Sequence, residues 1–216
     1  MVATGVPALD AVLPGGGLPR GALIELVGPR SAGGTTLALR AIAAAQAVGD
    51  LACLLDLGHS FDPAAAAGLG VDLAALAIAR PADGVEAALT VQTLLTRAVV
   101  GVLIVDSLPR WLALPRGPSA LAALLRLLPR RLADSSCVLI VLNPLPTGLL
   151  PDPAVAPHAT LAPVMVLRLR LTHTGWLRRG PAIIGARTRI AVLQPPFGEP
   201  LTQVVVELTF AHAEGP

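Results

Sequence analysis

The segment Gly28-Pro29-Arg30-Ser31-Ala32-Gly33-Gly34-Thr35-Thr36 restricts this chain more than any other, because it follows an apolar run and opens an Ala/Leu-rich stretch. Its spacing is that of a phosphate-binding loop, G-x-x-x-x-G-K-[ST]. In that pattern glycines let backbone N–H groups cradle phosphates, a Lys reaches the β- and γ-phosphates, and a hydroxyl serves Mg²⁺. Gly28, Gly33 and Thr35 stand in register, with Thr36 behind them, but Gly34 occupies the Lys position. The sequence carries the scaffold of an ATPase and argues against the activity.

Around this loop the pattern predicts strand, helix, strand, a right-handed crossover. Short apolar runs at 21–27, 51–57, 102–107 and 137–143 have the character of buried parallel strands, with a weaker candidate at 73–79. Helices are expected over 35–48, 85–98 and 118–134, the last kinked at Pro129. Val102-Leu103-Ile104-Val105-Asp106-Ser107 has the form of a Walker B strand, whose Asp supports Mg²⁺ beside the phosphate loop. Residues 144–163 are rich in Pro, Gly and Ala and predict a loop. Stretches at 164–174, 183–193 and 204–212 predict antiparallel strands extending the sheet, with turns at Gly175, Gly180 and the Pro195-Pro196-Phe197-Gly198 corner.

A length of 216 residues suits one α/β domain, and a chain that is 54% hydrophobic can bury a full core. No apolar run approaches the roughly 18 residues needed to span a bilayer, and the N-terminus does not resemble a secretion signal, so a cytoplasmic protein without a membrane partner is expected. Cys53 and Cys137 sit in apolar runs and are expected as buried free thiols. All 16 basic residues are Arg; five of them face nine acids in residues 1–106, and eleven face five acids in the remainder. That basic second half suits either a nucleic-acid or acidic-protein face or scattered solvated Arg.

In this order the residues resemble the core of the RecA recombinase family over nearly the whole chain. The opening segment with Leu9-Asp10 and Gly16-Gly17-Leu18-Pro19, the phosphate loop, the segment 56–63, Leu69-Gly70-Val71-Asp72, Asp106-Ser107 and Arg187-Thr188-Arg189 carry the resemblance. It implies a RecA-like α/β core, mostly parallel and flanked by helices with antiparallel C-terminal strands. It also implies a single domain over 1–216 without the family's N-terminal helix and strand or its C-terminal domain. At matching positions Gly34 replaces the phosphate-binding Lys, Gly58 the catalytic Glu, and Ala65 the Tyr that stacks on adenine. Losing charge stabilisation, general base and base stacking together implies a pseudo-ATPase with no catalytic residues and no cofactor. Thr35, Asp106 and Asp62 remain, as an N-capping hydroxyl, a strand-end carboxylate and a turn residue or as a residual Mg-ATP site to which Arg30 lends a substitute charge.

A short core with a degraded loop is most similar to the ImuA family, described as RecA/SulA-like. The resemblance implies a non-catalytic accessory of the bacterial DNA-damage (SOS) response in mutagenic translesion synthesis, nucleoid-associated, with RecA, ImuB and a DnaE-type polymerase as partners. Because this core begins after the family's donating segment, it is expected to accept a RecA subunit and cap or limit filaments; self-association is a further expectation. A SulA-like inhibitor of cell division and a weak ATPase acting as recombination mediator are the alternatives. For weak, sequence-independent DNA binding the candidates are Arg168, Arg170, Trp176, Arg178 and Arg179, with Arg110 and Trp111 in a loop over 109–118; Trp111 either stacks on a base or fills an apolar gap.

Overall fold

The computed structural model describes residues 1–145, 161–193 and 201–210. Its centre is an eight-stranded sheet in the order β3-β2-β4-β5-β1-β6-β7-β8. The strands are β1 (Ala22–Pro29), β2 (Ala52–Asp56), β3 (Leu76–Ala79), β4 (Val102–Asp106), β5 (Val138–Leu145), β6 (Met165–Arg179), β7 (Ala182–Leu193) and β8 (Thr202–Thr209). The first five are parallel; β1, β2, β4 and β5 lie in the middle of the sheet, buried over most of their length, which is why they read as continuous apolar runs, while β3 is the partly exposed edge.

Helices cover the sheet unequally. One face packs Ile24, Leu54, Ile104 and Ile140 against α1 (Pro7–Asp10), α2 (Gly34–Gln46) and α3 (Pro63–Gly68). The other packs Leu23, Leu55, Leu103 and Leu139 against α4 (Gly84–Arg97), α5 (Leu108–Ala113) and α6 (Gly117–Ala133). In α6, Leu121, Leu124, Leu128 and Leu132 are buried as their spacing predicts, Leu125 is half-buried, and Pro129 lies inside the helix on an exposed position. Cys53 and Cys137 are buried free thiols, and burial pushes them up to about 11 and about 12 respectively.

The C-terminal strands pair antiparallel as expected, β6 with β7 and β7 with β8, and β6 joins the rest of the sheet by parallel pairing with β1. Two local expectations are corrected. Gly175 is no turn: it lies inside β6 at a register shift opposite Arg187, while the hairpin turns at Gly180 (φ 60°). The expected loop over 109–118 instead contains α5 and the start of α6. The corner at 195–198 and most of the loop over 144–163 lie outside the described residues.

Two glycines, not apolar pattern, set how α4 and α6 meet. A Cβ at Gly117 would strike the Trp111 carbonyl oxygen, and one at Gly84 the Gly117 backbone. Gly117→Ala should therefore lower unfolding stability by about 1–3 kcal/mol. Gly175→Ala, at a site with nothing within 4 Å and no left-handed backbone, should stay within about 0.5 kcal/mol of the parent in chemical denaturation.

Candidate functional site

Where β1 ends, the chain makes a 3-10 turn (Arg30–Ala32) and passes through Gly33 in the left-handed region (φ 84°) into α2. Neighbouring strands hold this loop. A Cβ at Gly28 would collide with the Leu171 carbonyl oxygen of β6, and the buried Thr188 hydroxyl of β7 donates to the Ala32 carbonyl at 2.9 Å. No side chain caps the N-terminus of α2, so the Thr35 hydroxyl is not the N-cap the sequence allowed for; it is exposed at the mouth of a cleft.

The cleft has a volume of about 320 Å³ and lies outside the carboxyl ends of β1, β2, β4 and β5, where open α/β sheets bind ligands. Gly28, Arg30, Gly34, Thr35, Asp62, Ala65 and Asp106 all line it, so most of the degenerate loop set is brought together. Position 34 faces open space: a Cβ there meets nothing within 4 Å. Leu26, Leu39, Leu54, Phe61, Ile104 and Leu142 make the rest of the lining largely apolar. Ala65 contributes no ring to the wall, and the aromatic side chain there is that of Phe61.

Two carboxylates at adjacent strand ends, Asp56 and Asp106, are in register across β2 and β4. Asp56 is buried, which by itself raises its pKa. The Ser60 N–H (2.8 Å), the Arg80 guanidinium (2.9 Å) and the Phe61 N–H together outweigh burial and leave it lowered. Asp106 is shifted the other way: burial first, then repulsion from Asp56, raise its pKa, and Arg30 and Arg110 only partly offset them. Arg110, expected on a DNA-binding loop, is exposed on α5 and lies close enough to Asp106 to offset part of that rise. Its Nε lies 3.6 Å from where a Cβ of Gly58 would be, at the position the family fills with Glu. Asp62 is the N-cap of α3, accepting from the Ala64 and Ala65 N–H groups.

Beside the cleft, and unannounced by any motif, is a buried ion pair. Glu25, fully buried in β1, accepts from Arg168 Nε at 2.6 Å and from Asn143 Nδ2 at 2.7 Å. Arg168 is thus removed from the DNA-facing set: it shares a strand face with Arg170 as period two requires, but only Arg170 is exposed. Sequence reading missed this because an Arg in an alternating strand normally marks the wet face. The one available signal was Glu25 inside an otherwise apolar run, which needed a cation.

Trp111 is 2% exposed and packs between α6 and the sheet, which settles its two readings in favour of gap filling. Trp176 is 43% exposed, tilted against His173 with ring centroids 4.2 Å apart. Arg178 and Arg179 are exposed at the end of the β6–β7 hairpin, with Arg178 donating to the Pro181 carbonyl. Arg187 and Arg189, noted in the sequence only for the resemblance, lie exposed on β7 on the same sheet face as Arg170; Arg187 pairs with Glu207 at 2.8 Å.

Residues 1–115 match the RecA N-terminal domain. The chain belongs to the RecA family. It is 36% identical to the RecA protein of Chlorobium chlorochromatii over 91% of this chain and 61% of that one. It is 33% identical to the RecA protein of Agrobacterium fabrum over 98% of this chain and 62% of that one. It thus spans about three fifths of the length of these curated relatives. The RadB recombinase crystal structure shares the fold, with a TM-score of 0.71 at 21% identity over 97% of this chain and 96% of that one. No helix among the described residues is long and apolar enough to cross a membrane.

Two outcomes follow from these electrostatics. Arg168→Ala, which leaves Glu25 buried without its cation, should cost about 3–5 kcal/mol of unfolding free energy; the double change E25L/R168M should recover most of it in the same denaturation assay. For Asp106 the folded pKa lies above the ordinary 3.8, so the folded state binds its proton more tightly. Stability from this group is greatest at low pH and falls as pH rises from about 3.8 through the raised value. Asp106→Asn should therefore stabilise the protein at pH 7, and the gain should vanish near pH 3.

Proposed function

We propose that this chain is a non-catalytic member of the RecA family, of the ImuA type. On this reading it is an accessory of the bacterial DNA-damage response that binds RecA and the ImuB/DnaE-type polymerase assembly on the nucleoid during mutagenic translesion synthesis. The observation that carries the reading is Gly34 facing empty space at the point where a phosphate-binding Lys belongs. Gly58 beside Arg110 and Ala65 in the cleft wall support it, since the Lys, the Glu and the Tyr expected at positions 34, 58 and 65 are all absent. A lost charge-assisted contact of about 1.5–3 kcal/mol weakens nucleotide binding by about tenfold to a hundredfold or more.

An interaction role uses surfaces away from the cleft. β3 is an edge strand with Leu73 and Ile78 exposed beside it, chemistry that accepts a donated strand from a RecA subunit. A weak DNA-binding role falls to the face of β6–β8 on which Arg170 and Arg189 are exposed beside Arg187. The weak-ATPase reading keeps one supporting feature, the intact backbone cradle with Arg30, Thr35 and Asp106 around it.

Calorimetric titration with Mg·ATP, then with RecA, tests this directly. The expected result is no nucleotide heat, clear RecA binding, and no binding to a RecA variant that lacks its N-terminal helix and strand. Gly34→Lys should restore measurable nucleotide binding; tight ATP binding or turnover by the parent protein would instead establish the ATPase reading. On single-stranded DNA, Arg170→Ala and Arg189→Ala should each reduce the slope of log affinity against log salt by about 1.

A further inference from the structure

The β6–β7 hairpin is longer than the sheet that carries it. β1 pairs with β6 from Met165 only as far as Arg170, because β1 then gives way to the phosphate loop, whereas β6 continues to Arg179. On β7, pairing with β8 stops at Gly185. Residues 171–179 of β6 therefore have β7 on one side and, among the described residues, no strand on the other. No Pro interrupts this edge; two register shifts, between His173 and Gly175 and between Leu177 and Arg178, bend it without ending its pairing with β7.

The far end of this edge is aromatic, apolar and basic. Trp176 stands opposite Ala186, on the same side of the ribbon as His173, and contacts Phe210 of the β8 end edge-on at 6.5 Å. Ile183, paired with Arg178, is 45% exposed next to it. An exposed ring propped by two others presents a fixed apolar platform at low entropic cost, and Arg178 places a cation beside it.

We propose that the 171–179 edge of β6 is a docking site for an extended, acidic peptide segment of a partner protein, which adds a strand to the ribbon, seats an apolar side chain on Trp176 and places a carboxylate at Arg178. The edge supplies main-chain N–H and C=O groups in strand geometry, the source of affinity in strand addition, and the side-chain platform supplies selectivity. Charge decides the occupant: Arg178 here, with Arg170 and Arg189 on the opposite face of the same ribbon, favours a segment of net negative charge. Strand edge and apolar Ile183 favour a peptide over a nucleic acid, whose backbone cannot continue a β ladder. The site is independent of whether the cleft holds nucleotide.

Trp176 is also the reporter. In a Trp111→Phe background, emission from Trp176 would be followed while adding a capped decapeptide of alternating Val and Glu. The comparison probes are the same peptide N-methylated at alternate residues, its Val/Arg counterpart, and a ten-nucleotide oligo-dT. The proposal expects a saturable shift with the Val/Glu peptide, binding at least tenfold weaker for the N-methylated and Val/Arg peptides, and at least tenfold weaker for Arg178→Glu with the Val/Glu peptide. Equal binding of the N-methylated peptide, no response to the Val/Glu peptide at millimolar concentration, or oligo-dT outcompeting it at Trp176 would each overturn the proposal. A circular-dichroism spectrum matching the parent's qualifies each variant before titration.

Discussion

The geometry of the phosphate loop depends on a backbone-to-backbone approach, the seating of Gly28 against the Leu171 carbonyl of β6. Any side chain at position 28 would push β1 and β6 apart just where the loop leaves the sheet. Gly33 closes the turn in a left-handed conformation against Leu208 of β8, and Thr188 of β7 satisfies the buried Ala32 carbonyl. The cradle is thus shaped by β6, β7 and β8. No phosphate and no lysine is needed to hold it, so its persistence in a chain with Gly34 follows from packing.

The same three strands are locked to the parallel core by Glu25. A carboxylate inside a strand buried on both faces demands a partner, and Arg168 and Asn143 approach it from the two flanking strands. This fixes register as well as charge. A one-residue slip of β1 would turn Glu25 towards the apolar layer under α2 and leave Arg168 buried with no anion, so only one alignment of β5, β1 and β6 satisfies all three groups.

The parallel half of the sheet was legible because its central strands β1, β2, β4 and β5 are buried on both faces over most of their length and so are continuously apolar, and because the loop and Asp106 mark the strand ends that form the cleft. The β6 region was less legible. Its parallel pairing with β1 arises from the return of the chain after residue 161, which alternation in sequence does not reveal, and Gly175 imitates a turn because glycine also serves register shifts. Trp111 and Arg168 were hard to place for a shared reason: a large amphipathic side chain, in the short segment around Trp111 or the alternating strand around Arg168, looks the same in sequence whether it faces solvent or the interior, and only tertiary packing decides. The placement of Arg110 beside Gly58 depends on α5, a helix of six residues whose Pro and Arg content gives no periodic signal.

The missing lysine has an electrostatic logic independent of catalysis. The N-terminus of α2 carries unsatisfied N–H groups and the positive end of the helix dipole, and Arg30 already places a cation in the preceding turn. An ammonium group at position 34 is favourable there only when a polyphosphate lies between the charges. In a loop that holds no triphosphate the same group is repelled by the dipole and by Arg30. Glycine costs helix propensity at an interior position, but at the first residue of α2 that cost is small, and it removes the repulsion altogether. Gly34 and the apolar cleft wall therefore belong together: each limits the charge placed in a site whose backbone is held in place by the strands behind it.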